Sequence, residues 1–342
     1  MITILAEQIE EDGMQLSRRT FLHLGATAAA LPAMARFAEA QAFPTRPITM
    51  VVPYPAGGPA DLIARILGDR MRMPLGQPLI VENVSGAGGS IGVARVTRAA
   101  PDGYMLSIGQ LNSHVFSGAA YSVRYDLLKD LDPVALLTTN PLMLVGKKDL
   151  PAKDMKELIA WLKANPDNGT YGTPGFGSPS HVWGIHFQNS IGTHVRFVSY
   201  RGAAPAMQDV LSGQIDLTCL QASDLLPQVR SGNVKAYAIL AKDHWVRATD
   251  IPTVDEAGVP GLHMPFWHGL WVPAHTPKDV IAKLNAAVVE ALSDPQVRQR
   301  LTDIGQEIFP IEQQTPDALA ARQKADIEKW WPVIKAANIK GD

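Results

Sequence analysis

The stretch Pro47-Ile48-Thr49-Met50-Val51-Val52-Pro53-Tyr54-Pro55-Ala56-Gly57-Gly58-Pro59 carries the reading of the fold. Pro47 to Pro53 is a short apolar run bounded by prolines, the mark of a buried strand. Proline and glycine then break the chain, and Leu62, Ile63, Ile66 and Leu67 return at helical spacing, so a glycine loop feeds directly into a helix N-terminus. The device recurs at once: Leu79 to Val81 reads as a second strand, followed by Gly86-Ala87-Gly88-Gly89-Ser90 and a helix carrying Ile91, Val93, Ala94 and Val96. Units of strand, glycine loop and helix in series predict a parallel sheet flanked by helices.

Outward from there, Tyr104 to Ile108 reads as a third strand, launched by the turn Pro101-Asp102-Gly103 and ending in the polar loop Gln110-Leu111-Asn112-Ser113-His114. A second lobe is expected from about Leu142, with a strand over Leu142 to Val145 and a helix from Asp154 to Ala164 that turns Met155, Leu158, Ile159 and Leu162 inward. Its further strands are expected at Gly169 to Gly172, Val195 to Tyr200, Ile215 to Leu220 and Lys235 to Leu240. The chain returns to the first lobe around Trp267 to Val272, and helices over Val280 to Leu292 and Asp317 to Ala337 complete it. The expected division is a leader at 1–42, a first lobe made of 43–141 and 267–342, and a second lobe at 142–266.

A chain of 342 residues with 46% apolar content buries a substantial core, and that length favours two lobes over one. The formal charge is −2, with 31 basic and 33 acidic residues spread along the chain, so no basic stripe exists to neutralise a phosphate backbone and nucleic acid is not an expected partner. No apolar run approaches the roughly 20 residues that span a bilayer. The start reads as an export leader: Ser17-Arg18-Arg19-Thr20-Phe21-Leu22 precedes an Ala/Gly-rich stretch and the small-residue cleavage pattern Ala40-Gln41-Ala42. This predicts twin-arginine export to the periplasm, although the acidic Glu7 to Asp12 is unusual in such a leader and Met14 offers a second start. The leader holds three basic and five acidic residues, which leaves 28 of each sign in the remainder. The single cysteine, Cys219, excludes an intrachain disulfide, reads as a buried small hydrophobe, and leaves no lipid anchor at the cleavage site. A freely diffusing monomer is expected.

A strand that ends in glycines and opens a helix points unpaired backbone N–H groups, and the positive end of the helix dipole, at one spot. Such a spot binds a carboxylate without arginine. Two candidates are the loops at Gly57-Gly58 and at Gly86 to Gly89, at the C-terminal ends of neighbouring strands, where open α/β sheets place ligands. A third is Gly175-Phe176-Gly177-Ser178-Pro179-Ser180-His181 in the second lobe. The plain alternative for each is a tight turn with an N-capping serine.

Taken in order, Pro47 to Gly58, Val81-Glu82-Asn83 with Gly86-Ala87-Gly88-Gly89, and Ala100-Pro101-Asp102-Gly103-Tyr104 resemble the Bug family, the TctC-like solute receptors of tripartite tricarboxylate transporters. Further matches are Tyr171-Gly172, Gly175, Gly177-Ser178, His181, Tyr200-Arg201-Gly202, Gly213-Gln214-Ile215-Asp216, Ile251-Pro252-Thr253, Glu256-Ala257-Gly258, Trp267 and Gly269, so the resemblance covers nearly all of the chain after the leader. It implies an α/β Venus-flytrap binding protein of two lobes, each a mostly parallel sheet flanked by helices, that closes on a small carboxylate and presents it to the membrane subunits of such a transporter. Ligand contacts are then expected from Tyr54, Ala56, Gly57, Gly58, Ala60, Gly88, Gly89, Ser90, Gln110, Asn112 and Ser113 in the first lobe, and from Phe176, Ser178, Ser180, His181 and Gln221 in the second. Closure is expected about a hinge near Leu142 and Trp267. Ala60, Ser90 and Gln221 depart from the family's frequent Ser/Thr, Asn and Asn/Asp, while Tyr54 and Phe176 offer an aromatic wall, so aliphatic and aromatic acids both fit the reading.

Two rival readings follow from the same residues. Gly88-Gly89-Ser90-Ile91-Gly92 fits the G-x-S-x-G nucleophile elbow of α/β-hydrolases, a pattern that glycine-rich loops produce easily and that lacks an upstream oxyanion motif here. A sensor that binds the same ligand shares the binding residues, but no signalling or membrane segment is attached. No cofactor or metal is expected: His181 and His186, like His263 and His268, are five apart, the wrong spacing for one helical ligand face.

Overall fold

The computed structural model describes residues 43–166 and 168–341; the stretch 1–42, expected to be an export leader, lies outside the described residues. Strand β1 (Ile48–Val52) is almost wholly buried, and helix α1 (Pro59–Leu75) begins with a proline whose missing N–H costs nothing in the first turn. Gly76 ends that helix in the left-handed region (φ 67), where its N–H returns to the Arg72 carbonyl. Then come β2 (Leu79–Asn83), a 3₁₀ turn at Ala87–Gly89, α2 (Ser90–Thr97) and β3 (Met105–Gln110). The polar stretch expected as a loop after β3 is instead a π-helical turn (Asn112–Phe116) running into α3 (Ser117–Ala120). It turns because His114 inserts its ring under β3, stacked on Trp271 at 3.9 Å between centroids.

Strand β4 (Leu131–Thr139) hands the chain through Asn140-Pro141 to β5 (Leu142–Lys147) in the second sheet. There follow α4 (Met155–Ala164), with Asp154 capping its start, β6 (Thr170–Thr173), α5 (Pro179–Ile191), β7 (Arg196–Ser199), α6 (Ala203–Leu211), β8 (Leu217–Gln221), α7 (Ala222–Arg230) and β9 (Val234–Ile239). The return is β10 (Trp267–Pro273), followed by α8 (Lys278–Ser293), α9 (Pro295–Asp303), the short β11 (Glu307–Ile308) and α10 (Pro316–Ala336). Several elements have no counterpart in the expectations: α3, α6, α7, α9, β4 and β11. Strand β4 carries Pro133, which argues against a strand in sequence but sits opposite an irregularity in its pairing with β10, and α9 is a polar helix with only Val297 and Leu301 buried.

The six-stranded sheet of the first lobe runs β11-β4-β10-β3-β1-β2, and the five-stranded sheet of the second runs β7-β6-β8-β5-β9. Parallel pairing, expected throughout, is confined to β2-β1-β3 and β7-β6-β8. The reason is the crossing. Strand β10 arrives from the second lobe, inserts between β3 and β4 and runs against both, while β5 arrives from the first and inserts between β8 and β9 in the same manner. An inserted strand starts at the hinge, so it must run away from it while its neighbours run toward it. The C-terminal ends of the parallel strands in both lobes therefore face the crossing, and their loops line whatever lies between.

Every residue of β10 is buried. Helix α10 is tied over the crossing by Trp267 Nε1 donating to Asp326 Oδ2 at 2.7 Å and Trp271 Nε1 donating to Gln323 Oε1 at 3.1 Å. Gln323 Nε2 in turn donates to the His114 carbonyl at 2.8 Å. In the second lobe Trp183 Nε1 donates to the Leu262 carbonyl at 2.7 Å. One buried apolar cluster extends through both lobes, and a second belongs to the second lobe alone.

Candidate ligand-binding cleft

Four helices begin on one cavity of about 320 Å³ between the two sheets: α1 contributes Pro59, α5 Ser178, Pro179 and Ser180, α6 Gly202 and Ala203, and α7 Gln221 and Asp224. Three of these starts, capped by Gly58, Gly202 and Gln221, carry no side-chain cap on their first-turn amides. Only α5 has one, the Ser178 hydroxyl accepting from His181 N at 3.3 Å. Each helix start carries roughly half a positive charge, and several converging on one space form an anion site built from backbone alone.

The remaining wall is mixed. Tyr54, Gln110 and Asn112 face it from the first lobe, and Leu142, Pro174, Cys219, Leu220 and Phe266 supply apolar surface. No lysine or arginine lies on the lining among the described residues; its one ionic side chain is Asp224, at the exposed rim. Gln221 Oε1 accepts from Asn140 Nδ2 at 2.9 Å, which leaves the Gln221 amide N–H groups for a ligand. Burial pushes the Tyr54 phenol up to about 12, against the side chains of Ser113, Gln110 and Asn112 that favour its ionised form, so it is a neutral donor at physiological pH. Burial likewise raises the Cys219 thiol well above its ordinary value, consistent with a packing role.

Of the residues expected at the site, the cavity brings together Tyr54, Gln110, Asn112, Ser178, Ser180 and Gln221. The first glycine loop is largely occupied with itself. Gly57 N donates to Asp61 Oδ2 at 2.9 Å, so that amide is not open to a ligand, and Gly57 lines a neighbouring pocket with Ser223 and Asp303. Asp61, 2% exposed, also accepts from Asn83 Nδ2 and Arg65 Nε at 2.9 and 3.0 Å, which holds its carboxyl below the usual range although burial opposes this. Asn83 Nδ2 reaches the Tyr54 carbonyl at 3.1 Å, so Asp61 and Asn83 together set the loop that carries Tyr54. Ala56 is exposed, Gly58 is the N-cap of α1 and Ala60 is buried in its first turn; none of these is on the lining.

The second glycine loop also stands off the lining. Gly88 and Gly89 have φ of 62° and 94°, and Gly89 N returns to the Gly86 carbonyl at 2.9 Å. Ser90 is 8% exposed at the start of α2 and has no hydrogen bond to a histidine or carboxylate among the described residues, so the elbow pattern there lacks a base. Ser113 is buried, bonded to His114 Nδ1 at 2.9 Å. His181 Nδ1 accepts from Gly177 N at 3.2 Å, and its ring packs between Phe176 and Phe197. His181 and Phe176 thus brace the loop at the start of α5 from behind. Pro59, Gly202, Ala203 and Asp224 were not expected to line the cavity; the signal for Gly202 and Ala203 was the strand-to-helix turn in Tyr200-Arg201-Gly202-Ala203, whose Arg201 is exposed.

A larger cavity of about 460 Å³ opens beside the crossing strands, lined by Lys242, His244, Trp245, His263, Arg322 and Lys329 among others. No helix N-terminus points there, and it holds none of the residues expected to bind ligand.

Residues 63–339 match the family model described as the tripartite tricarboxylate transporter family receptor. The chain belongs to this receptor family. An Agrobacterium vitis relative, described as a UPF0065 protein in the TAR-I ttuE-ttuC' intergenic region, is 37% identical over 98% of this chain and 96% of its own length. MatC from Rhodopseudomonas palustris, solved with bound malate, is 40% identical, covers 85% of this chain and all of its own (100%), and superposes with a TM-score of 0.76. A second R. palustris protein, solved with adipate, is 30% identical over 87% of this chain and 99% of its own, with a TM-score of 0.77. The receptor family's two-lobe α/β fold is thus that of this chain, with the cleft at the junction described above.

Proposed function

We propose that this chain is a periplasmic solute-binding receptor, not an enzyme, that holds a small carboxylate between its lobes and presents it to the membrane subunits of a tripartite tricarboxylate transporter. The observation that carries this reading is the convergence of four helix N-termini, three of them without a side-chain cap, on one cavity that has no basic side chain. Backbone dipoles favour an anion there without a neutralising arginine, which permits binding and release. Family membership supports the transport role, and the malate and adipate held by two structural neighbours support the carboxylate.

In this reading residues 1–42 are removed on export, 43–141 and 267–342 form the first lobe, 142–266 the second, and the product is a monomer free of lipid. The lobes close about Asn140-Pro141 and the strand β10. Ligand affinity and closure are then linked, since contacts from both sides exist together only in the closed form. A thermal-shift screen of the purified protein against aliphatic and aromatic mono-, di- and tricarboxylates, with the corresponding amides, tests this. A true ligand at about 100 times its Kd adds about 2.7 kcal/mol of stability, a rise of several degrees. A folded, ligand-free protein that responds to no acid would defeat the proposal.

A further inference from the structure

The one ionic side chain on the lining, Asp224, has the wrong sign for a cleft that favours an anion. It stands in the first turn of α7, where a carboxylate offsets part of the positive potential that the helix start offers a ligand. Its hydrogen bonds give it another task. The Ser223 hydroxyl donates to Asp224 Oδ1 at 3.4 Å, which leaves Ser223 Oγ to accept from Asn140 Nδ2 at 2.7 Å. Asn140 is wholly buried where β4 passes into β5, and its backbone N–H donates to the Phe266 carbonyl at 3.0 Å. The second Nδ2 hydrogen of Asn140 goes to Gln221 Oε1 at 2.9 Å. At the end of this series stands Gln221 Nε2, on a lining residue and with no hydrogen-bond partner among the described residues.

Direction matters because a carboxamide turned over keeps its shape and exchanges donor for acceptor. If Ser223 donated to Asn140 instead, Asn140 would present its oxygen to Ser223 and Gln221 alike, and Gln221 would turn its carbonyl to the cleft. A carbonyl there repels a carboxylate. The Asp224 carboxylate only accepts, so the Ser223 proton points to it and each later group is fixed in turn.

We infer that Asp224, Ser223 and Asn140 are positioning residues that fix the Gln221 side chain as a hydrogen-bond donor to the ligand; this rests on the carboxylate-receptor reading above. Charge alone and this relay have opposite consequences at Asp224. Calorimetric titration with malate, benzoate and the unbranched diacids from malonate to suberate tests it. The proteins compared are the wild type, Asp224→Ala, Ser223→Ala, Gln221→Leu, and each of the first two substitutions combined with the third. Asp224→Ala should weaken the acid that binds best by about three- to tenfold although a negative charge has gone, and Ser223→Ala should weaken it by a similar factor. In the Gln221→Leu background neither should weaken it further. Tighter binding by Asp224→Ala, or a loss in the Gln221→Leu background as large as in the wild type, overturns the inference and leaves the receptor reading standing. Binding of no acid of the set overturns both.

Discussion

Where β2 passes into α2 in the first lobe, a Cβ added to Gly88 or Gly89 in the loop, or to Gly92 in the first turn of α2, would meet Tyr121 at 2.6 Å, Ser113 at 2.8 Å or the Val84 carbonyl at 2.7 Å. At Gly202, which starts α6 in the second lobe, it would meet nothing within 4 Å, and the cavity lies beside it. The first set is glycine because neighbours press on the backbone, and that loop's amides are drawn into its own turns. Gly202 is glycine because the chain turns there with φ 109°, and the amides that follow stay open. Glycine density in sequence therefore marks crowding as readily as it marks an anion site.

The first lobe's crowding extends to two buried histidines, and acid should expose the difference between the lobes most strongly. Burial holds His114 and His268 at about 3, far below the ordinary 6.5. The unfolded chain then binds more protons than the folded one between pH 6.5 and 3, so their contribution is complete above 6.5 and declines as pH falls through that window. From pH 7 to 4.5 the pair should cost the first lobe up to about 5 kcal/mol. Asp326 and Glu307, whose carboxyls burial raises, offset part of this. Hydrogen exchange at the two pH values should show β3 and β10 losing protection before β6 and β8; equal loss in both sheets would remove the contrast.

Next in size is Gly109→Ala, whose new methyl would fall 1.9 Å from His114 Nδ1. Urea denaturation should register a loss of about 3 kcal/mol, against about 1 kcal/mol for Gly202→Ala, where only backbone strain is added. Similar losses at both would mean the two glycines serve alike. Asp61→Asn should cost about 2 kcal/mol, because the new amide group cannot accept from Gly57, Asn83 and Arg65 together. Affinity should fall with it, since Tyr54 rides on that loop; a stability loss with unchanged affinity would detach the loop from the site.

Much of the architecture was legible from the alternation of apolar runs and helical spacings, because each unit of strand, loop and helix is specified locally. Strands β1, β2, β3 and β5 through β10 fall within a few residues of the expected positions. What local pattern does not encode is which strands insert from the other lobe, and so the antiparallel half of each sheet was missed. The site divides in the same way. Tyr54, Gln110, Asn112 and Gln221 line the cavity as expected of polar residues at strand ends, because loops at those ends must face the crossing. Gly57, Ser113 and His181 stand off the lining, and nothing in sequence says that Asp61, His114 and Gly177 bond to them instead.

The most direct test of the central claim places a fixed carboxylate where the ligand's is proposed to lie. Ala203 is the first residue of α6 and lines the cavity, and an acidic residue at a helix start does not disturb the helix. Calorimetric titration should compare the wild type with Ala203→Asp, using the acid that gives the largest thermal shift. The account predicts a folded variant whose affinity falls by about a hundredfold or more, as the new carboxylate takes the site and repels the ligand. Wild-type affinity in that variant would contradict it and move the anion site elsewhere.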